Sequence, residues 1–181
     1  MSQCSKCILR SGCQRVVFGV GNPEAEIMFI GEAPGNKEDE IGVPFVGSTG
    51  RILNTALENI KIKREEVYLT NICKCRPPEN RDPLPTEIQT CSPWLEKQIE
   101  IINPIIVITL GRYALNYFLP EAKISQIHGT IIEINKPGIG KIKLFPLHHP
   151  AAARINRQTR AIFTADFQKI PNILSQIKKE Q

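Results

Sequence analysis

Six cysteines are the first side chains in this 181-residue chain whose type and spacing suggest chemistry. Cys4 and Cys7 form a C-x2-C pair, and Cys75 and Cys91 form a wider one with fifteen residues between them. A C-x2-C pair presents two thiolates to one metal from a single turn, and a distant second pair can close the shell. Spacing alone leaves three readings open: an iron-sulfur group, a structural zinc, or no metal. The second pair is no compact knuckle, because it straddles the loop Arg76-Pro77-Pro78-Glu79-Asn80-Arg81. Cys13 and Cys73 are then spare, and Cys73 reads as a small hydrophobe of an extended segment. In a chain with no charged-then-apolar leader, six thiols point to metal ligands or reduced cysteines rather than disulfides.

A second group of residues could hold a flat polar molecule. The stretch Gly31-Glu32-Ala33-Pro34-Gly35, continuing through Gly42, Pro44, Phe45 and Gly47, sets the carboxylates Glu32, Glu38 and Asp39 near one aromatic ring. Ordinary turns with Phe45 as a core plug are the competing reading. Asn71 offers a donor and an acceptor side by side, a pair that matches the N3 and O4 edge of uracil; a turn or cap role is the alternative. In His148-His149-Pro150, neighbours on an extended chain point to opposite sides, so one imidazole at most faces a given ligand. Pro150 keeps His149 out of the α region and fixes its projection. Arg76, Arg81, Arg112, Arg154, Arg157 and Arg160 fall in or beside the same loops and could track phosphates, or form a solvated basic surface.

Such groups work only if something rigid carries them. Four apolar or β-branched runs predict strands at Ile27–Ile30, Val67–Ile72, Ile105–Leu110 and Lys143–Leu147, and Val16 to Val20 suggests a further short one. Helical patterns lie between them at Ser48–Asn59, Thr86–Ile102 and Gly111–Phe118, and a last helix is expected from about Ala161 to Lys178, with Pro171 as a possible break. Ile127 to Ile134 and Lys141 to Phe145, turning at Lys136-Pro137-Gly138, suggest a hairpin appended to the last strand. This alternation implies an α/β fold, a parallel sheet covered on both faces, with its working loops at the carboxyl ends of the strands. Glu32, Asn71 and His149 would then share one rim. Residues 1 to 15 show no period and need a tether, which a metal centre could supply.

Hydrophobic residues make up 41% of the chain, enough for one well-buried domain spanning residues 1–181. A net charge of +5 suits a phosphate-bearing partner. No apolar run approaches the roughly 18 residues that cross a bilayer, so a cytoplasmic protein with no membrane partner is expected.

Taken in order, the Cys4/Cys7 pair, the Gly31–Gly47 loop, Thr70-Asn71-Ile72 with Lys74-Cys75-Arg76-Pro77-Pro78 and Cys91, and His149-Pro150-Ala151-Ala152 resemble the iron-sulfur, family 4 uracil-DNA glycosylases of bacteria and archaea. The resemblance implies a three-layer α/β/α domain with a central four-stranded parallel sheet, and a structural [4Fe-4S] cluster on Cys4, Cys7, Cys75 and Cys91. It also implies monofunctional release of uracil from flipped deoxyuridine, leaving an abasic site. By the family's pattern, Phe45 stacks on uracil, Asn71 reads its edge, backbone groups at Gly31, Glu32 and Ala33 hold its carbonyls, and His149 sits near O2. Glu38, or second to it Glu32, would orient water; Arg76, Arg81, Arg154 and Arg157 are the expected DNA contacts. The expected partner is single- or double-stranded uracil-containing DNA, met by a monomer; a sliding clamp at Gln168–Gln181 has no clear motif behind it. The alternative is an iron-sulfur module that binds nucleic acid without catalysis. The chain departs from relatives twice: Ala33 stands where the best-known glycosylase class has an Asp, and Arg154-Ile155 where many relatives offer a leucine wedge.

Overall fold

The computed structural model describes residues 4–180. Its strands are β1 (Val20–Gly21), β2 (Ile27–Gly31), β3 (Tyr68–Asn71), β4 (Ile106–Leu110), β5 (Ile132–Lys136) and β6 (Gly140–Leu147). The helices are α1 (Leu9–Gly12), α2 (Asn36–Ile41), α3 (Ser48–Asn59), α4 (Pro85–Ile102), α5 (Gly111–Phe118), α6 (Ile124–Ile127), α7 (Pro150–Ile155), α8 (Arg157–Phe167) and α9 (Ile170–Lys179).

The sheet runs β1-β3-β2-β4-β6-β5, with β3, β2, β4 and β6 parallel and the two outer strands antiparallel. Six strands therefore replace the expected four, and the four expected ones are its parallel centre. The difference lies at the edges. The hairpin strand and the last central strand are one eight-residue strand, β6, which pairs with β4 on one side and carries β5 on the other. At the far edge only Val20 of the suggested Val16–Val20 strand joins the sheet, together with Gly21 after it, while Val17 instead donates to the carbonyl of Lys74 at 2.7 Å.

Every residue of β2 is buried, as a parallel strand covered on both faces must be. Successive side chains alternate between two cores. Ile27 and Phe29 face Leu53 and Leu57 of α3, Phe163 and Phe167 of α8 and Ile173 of α9. Met28 and Ile30 face Leu95 and Ile99 of α4 and Ala114 of α5. The Phe29 and Phe167 rings stack 5.7 Å apart. Each such large side chain removed from water contributes about 1.5–3 kcal/mol, so this layering fixes β2, and with it the loop that follows.

Two prolines sort the helices differently. Pro93 lies within α4 without ending it, and Ser92 Oγ donates at 3.2 Å to the carbonyl of Gln89, four residues before the proline, whose ring has no N–H to offer. Pro171 does mark a division: the long helix expected from Ala161 is two, and Pro171 sits in the first turn of the second, where a missing N–H costs nothing. Among the described residues no helix is long and apolar enough to cross a membrane.

Candidate active site and cysteine cavity

The carboxyl ends of β2, β3 and β6 open on one cavity of about 440 Å³, lined among others by Glu32, Ala33, Glu38, Phe45, Asn71 and His149. Gly31 and Asn71 are register partners, each the last residue of its strand. A Cβ on Gly31 would overlap both Asn71 Oδ1 and the Phe45 ring. The glycine is therefore what lets carboxamide and ring close on each other. Asn71 is 3% exposed.

Phe45 is both the core plug and a wall of the cavity, so the two readings of it describe one side chain. Its backbone is left-handed, with φ 54°, which a non-glycine residue adopts only when its surroundings impose it. Two groups impose it here. Arg64 donates to the Pro44 carbonyl at 2.7 Å and to Asn54 Oδ1 at 2.7 Å, holding the loop before the ring. Glu38 Oε1 accepts from the backbone N–H groups of Val46 at 3.0 Å and Gly47 at 2.8 Å, holding it after. A Cβ on Gly50 would overlap the Phe45 carbonyl, so α3 also needs its glycine.

Glu38 belongs to α2, a short helix within what the sequence suggested was all loop. It is 7% exposed, and Oε2 accepts no hydrogen bond among the described residues. One oxygen thus builds the loop and the other is left for the cavity. Asp39, grouped with it on sequence, faces elsewhere: its Oδ1 takes the N–H groups of Gln14 at 3.0 Å and Arg15 at 3.3 Å, tying the N-terminal segment to α2. Glu32 lines the cavity with its carboxyl raised to about 7, chiefly by burial, then by Asp82, with Arg112 opposing.

His149 caps α7 with its side chain. Nδ1 accepts the Ala151 N–H at 3.1 Å, so in the neutral ring the proton is on Nε2. Burial lowers the imidazole to about 4, which keeps it neutral near pH 7. Gly111, left-handed at φ +86°, passes so close that a Cβ there would lie 2.9 Å from His149 Cβ. His148 turns the other way, its ring 4.9 Å from His128, whose Nδ1 is 2.6 Å from Asp166.

The arginines divide. Arg81 is spent on Glu87, with two contacts at 2.7 and 2.9 Å, and helps hold that carboxyl below the usual range. Arg76 bonds Asn80 at 2.7 Å and Asn36 at 3.0 Å. Arg154 lines the cavity, Arg157 and Ile155 lie beside it on the surface, and Ile155 is 80% exposed.

Cys4, Cys7, Cys75 and Cys91 line a second, small cavity together with Trp94 and Lys74. Among the described residues no three Cys, His, Asp or Glu side chains are gathered closely enough to hold a single metal ion. The donor set nonetheless asks for an acceptor. Among the described residues Trp94 Nε1 is buried with no partner, and Lys74 donates its backbone N–H to Cys91 Sγ at 3.3 Å. Cys73 beside it lowers the Cys91 thiol, whereas burial raises those of Cys7 and Cys75. Cys13 and Cys73 are buried in the same small core, and Ala33 packs against it from the other cavity's wall. Sequence patterning gave no hint of Arg64 or Gly111, because each acts on a residue far along the chain, nor of Trp94, whose place beside the cysteines only the fold shows.

A family model described as the uracil DNA glycosylase superfamily matches residues 18–174, and the chain belongs to that superfamily. Its similarity is to the type-4 group. It is 43% identical to the type-4 uracil-DNA glycosylase of Archaeoglobus fulgidus over 92% of this chain and 86% of that one. With the type-4 enzyme of Saccharolobus solfataricus it shares 45% identity over 96% and 82%, and with that of Thermotoga maritima 40% over 99% and 92%. A solution NMR structure from Methanosarcina acetivorans, described as a candidate uracil DNA glycosylase, superposes with a TM-score of 0.51 at 13% identity, covering 87% of this chain and 98% of that one; at that identity the likeness concerns the fold.

Proposed function

We propose that this protein is a type-4 uracil-DNA glycosylase that hydrolyses the bond between deoxyribose C1′ and uracil N1 in DNA. The observation that carries the reading is the meeting of Asn71, Phe45 and His149 in one cavity at the strand ends, sealed by Gly31. Uracil must leave the base stack to enter, and the Phe45 ring replaces part of the lost stacking. The Asn71 carboxamide reads the N3–H and O4 edge. As C1′–N1 breaks, the bonding electrons pass to uracil and negative charge gathers on O2. The Nε2–H of a neutral His149 donates to it, a dipole already aimed before charge develops. Glu38 Oε2 orients the water that adds to C1′ of the cationic sugar, and takes up its proton. Lys74, the lysine of the surrounding motif, is buried away from this cavity, in keeping with hydrolysis without a Schiff base.

Four thiols, an unpartnered indole N–H and buried backbone donors suit an iron-sulfur group, and we assign a [4Fe-4S] cluster to Cys4, Cys7, Cys75 and Cys91. When bound it supplies a covalent tether, and none of its ligands lines the uracil cavity. The whole chain is read as one such domain, a cytoplasmic monomer acting on single- or double-stranded DNA. Arg154 and Arg157 are left for phosphates, whereas Arg76 and Arg81 shape the loop. Incubation with a uracil-containing oligonucleotide, then alkali, is expected to cut the strand at the uracil; intact strands at stoichiometric protein would overturn the assignment.

A further inference from the structure

Lys74 is a fully buried lysine with no carboxylate beside it among the described residues. It is 1% exposed. Its Nζ donates to Asn71 O at 2.6 Å, Thr70 Oγ1 at 2.6 Å and Gln98 Oε1 at 2.5 Å. Three acceptors match the three N–H bonds of an ammonium, so the group is saturated. The network is braced in turn. Thr70 Oγ1 donates to the Phe18 carbonyl at 2.8 Å, and Gln98 Nε2 donates to the same carbonyl at 2.9 Å and to Tyr68 Oη at 3.1 Å. An ammonium is costly to bury, and burial holds this amine well below the ordinary lysine range; the three acceptors are the use its surroundings make of it.

Its neighbours show what that use is. On one side is the backbone of Asn71, whose carboxamide is wedged between Gly31 and Phe45. On the other is the cysteine cavity: the backbone N–H of Lys74 reaches Cys91 Sγ, the next residue is Cys75, and Gln98 stands two turns beyond Cys91 on α4. We propose that Lys74 is a positioning residue for uracil recognition, its side chain locking the Asn71 peptide against α4 while its backbone fastens the same segment to the cluster-binding cysteines. The inference rests on the uracil-reading role given to Asn71 above. It makes the cluster's fastening and the reader's alignment parts of one hydrogen-bonded unit.

The test uses full-length, iron-loaded protein with the variants Lys74→Met and Thr70→Val, the second nearly isosteric and needed should the first not fold. Iron per chain, melting temperature, DNA affinity, single-turnover excision of uracil and the uracil-to-cytosine excision ratio are measured together. The expected result is wild-type iron content and DNA affinity, excision slowed on the order of 10²-fold in Lys74→Met, as a misplaced contact costs, and a lower uracil-to-cytosine ratio in both. Wild-type rate and ratio in a folded variant would overturn the inference, as would losses that only track lost iron. If the wild type itself releases no uracil, the functional reading falls and the inference with it; if the wild type is active and the variants match it, the inference alone falls.

Discussion

At the scale of single residues, the site depends on what is missing as much as on what is present. Gly31→Ala adds one methyl group at the point where Asn71 Oδ1 and the Phe45 ring meet. Overpacking of this kind costs about 1–3 kcal/mol, which a sheet buried on both faces can absorb, but the two uracil contacts must part. Folded Gly31→Ala is expected to lose uracil excision on the order of 10²-fold while keeping its DNA affinity; near-normal excision rates would show that the close fit has no role. His149 allows a pH test. Its folded value of about 4 lies below its ordinary 6.5, so between those values the unfolded chain binds more protons than the native one. Stability therefore falls as pH drops through that window, by at most about 3 kcal/mol, and His149→Gln removes this slope. Urea unfolding of both proteins at pH 7 and pH 4.5 checks it: parallel pH dependence would contradict a ring held neutral by burial.

At the scale of elements, short helices do what their length does not suggest. α7 begins at the His149 cap and ends at Ile155, so it carries the proposed O2 donor at one end and an exposed apolar side chain at the other. This suits Ile155, rather than Arg154, to fill the gap left by a flipped base. Ile155→Ala is expected to slow excision from duplex DNA about tenfold, the value of a few kcal/mol of unstacking only partly compensated, and to spare single strands. Equal losses on both substrates would remove the wedge role. The Phe45 loop gives a second case: Arg64→Met frees the Pro44 carbonyl and lets the left-handed Phe45 relax. Uracil excision should fall with little change in melting temperature, and free-uracil affinity should fall with it; unchanged affinity would mean that Glu38 suffices to hold the ring. Legibility in the sequence follows the same division. The parallel centre could be read because β2 and β4 are apolar or β-branched nearly throughout and β3 is so up to Asn71, and the rim residues because each ends or follows a strand. α2 could not, since six polar-rich residues between glycines show no helical stripe, whereas the β5 edge was visible as a hairpin appended to the last strand. The clamp by Arg64 and the diversion of Arg81 to Glu87 depend on pairings that no local pattern encodes.

At the scale of the molecule, the chain is a layered sheet with a small sulfur-rich core fixed to one corner. That corner gathers Leu9, Cys13, Cys73 and Cys75, with Ala33 packed against it, and it is small compared with the two main cores. Ala33 fits this corner: its methyl group closes the sulfur core on one side and borders the proposed uracil cavity on the other, where an ionised Asp would have to be buried against an apolar, sulfur-lined wall. Among the described residues, 4 to 15 are otherwise attached through the Asp39 bonds to Gln14 and Arg15, the buried side chains of Leu9 and Cys13, and Lys6 over the Trp94 ring. Oxidative removal of iron with a chelator should therefore free this segment before it unfolds the sheet, because the two main cores contain none of the cysteines. Trypsin is expected to cut the iron-free protein after Lys6, Arg10 and Arg15 within minutes while the fragment beyond residue 15 persists, and iron-loaded protein should resist at those sites. Protection that is the same with and without iron would show that packing alone holds the segment, and would leave the cluster without the tethering role that the fold assigns to it.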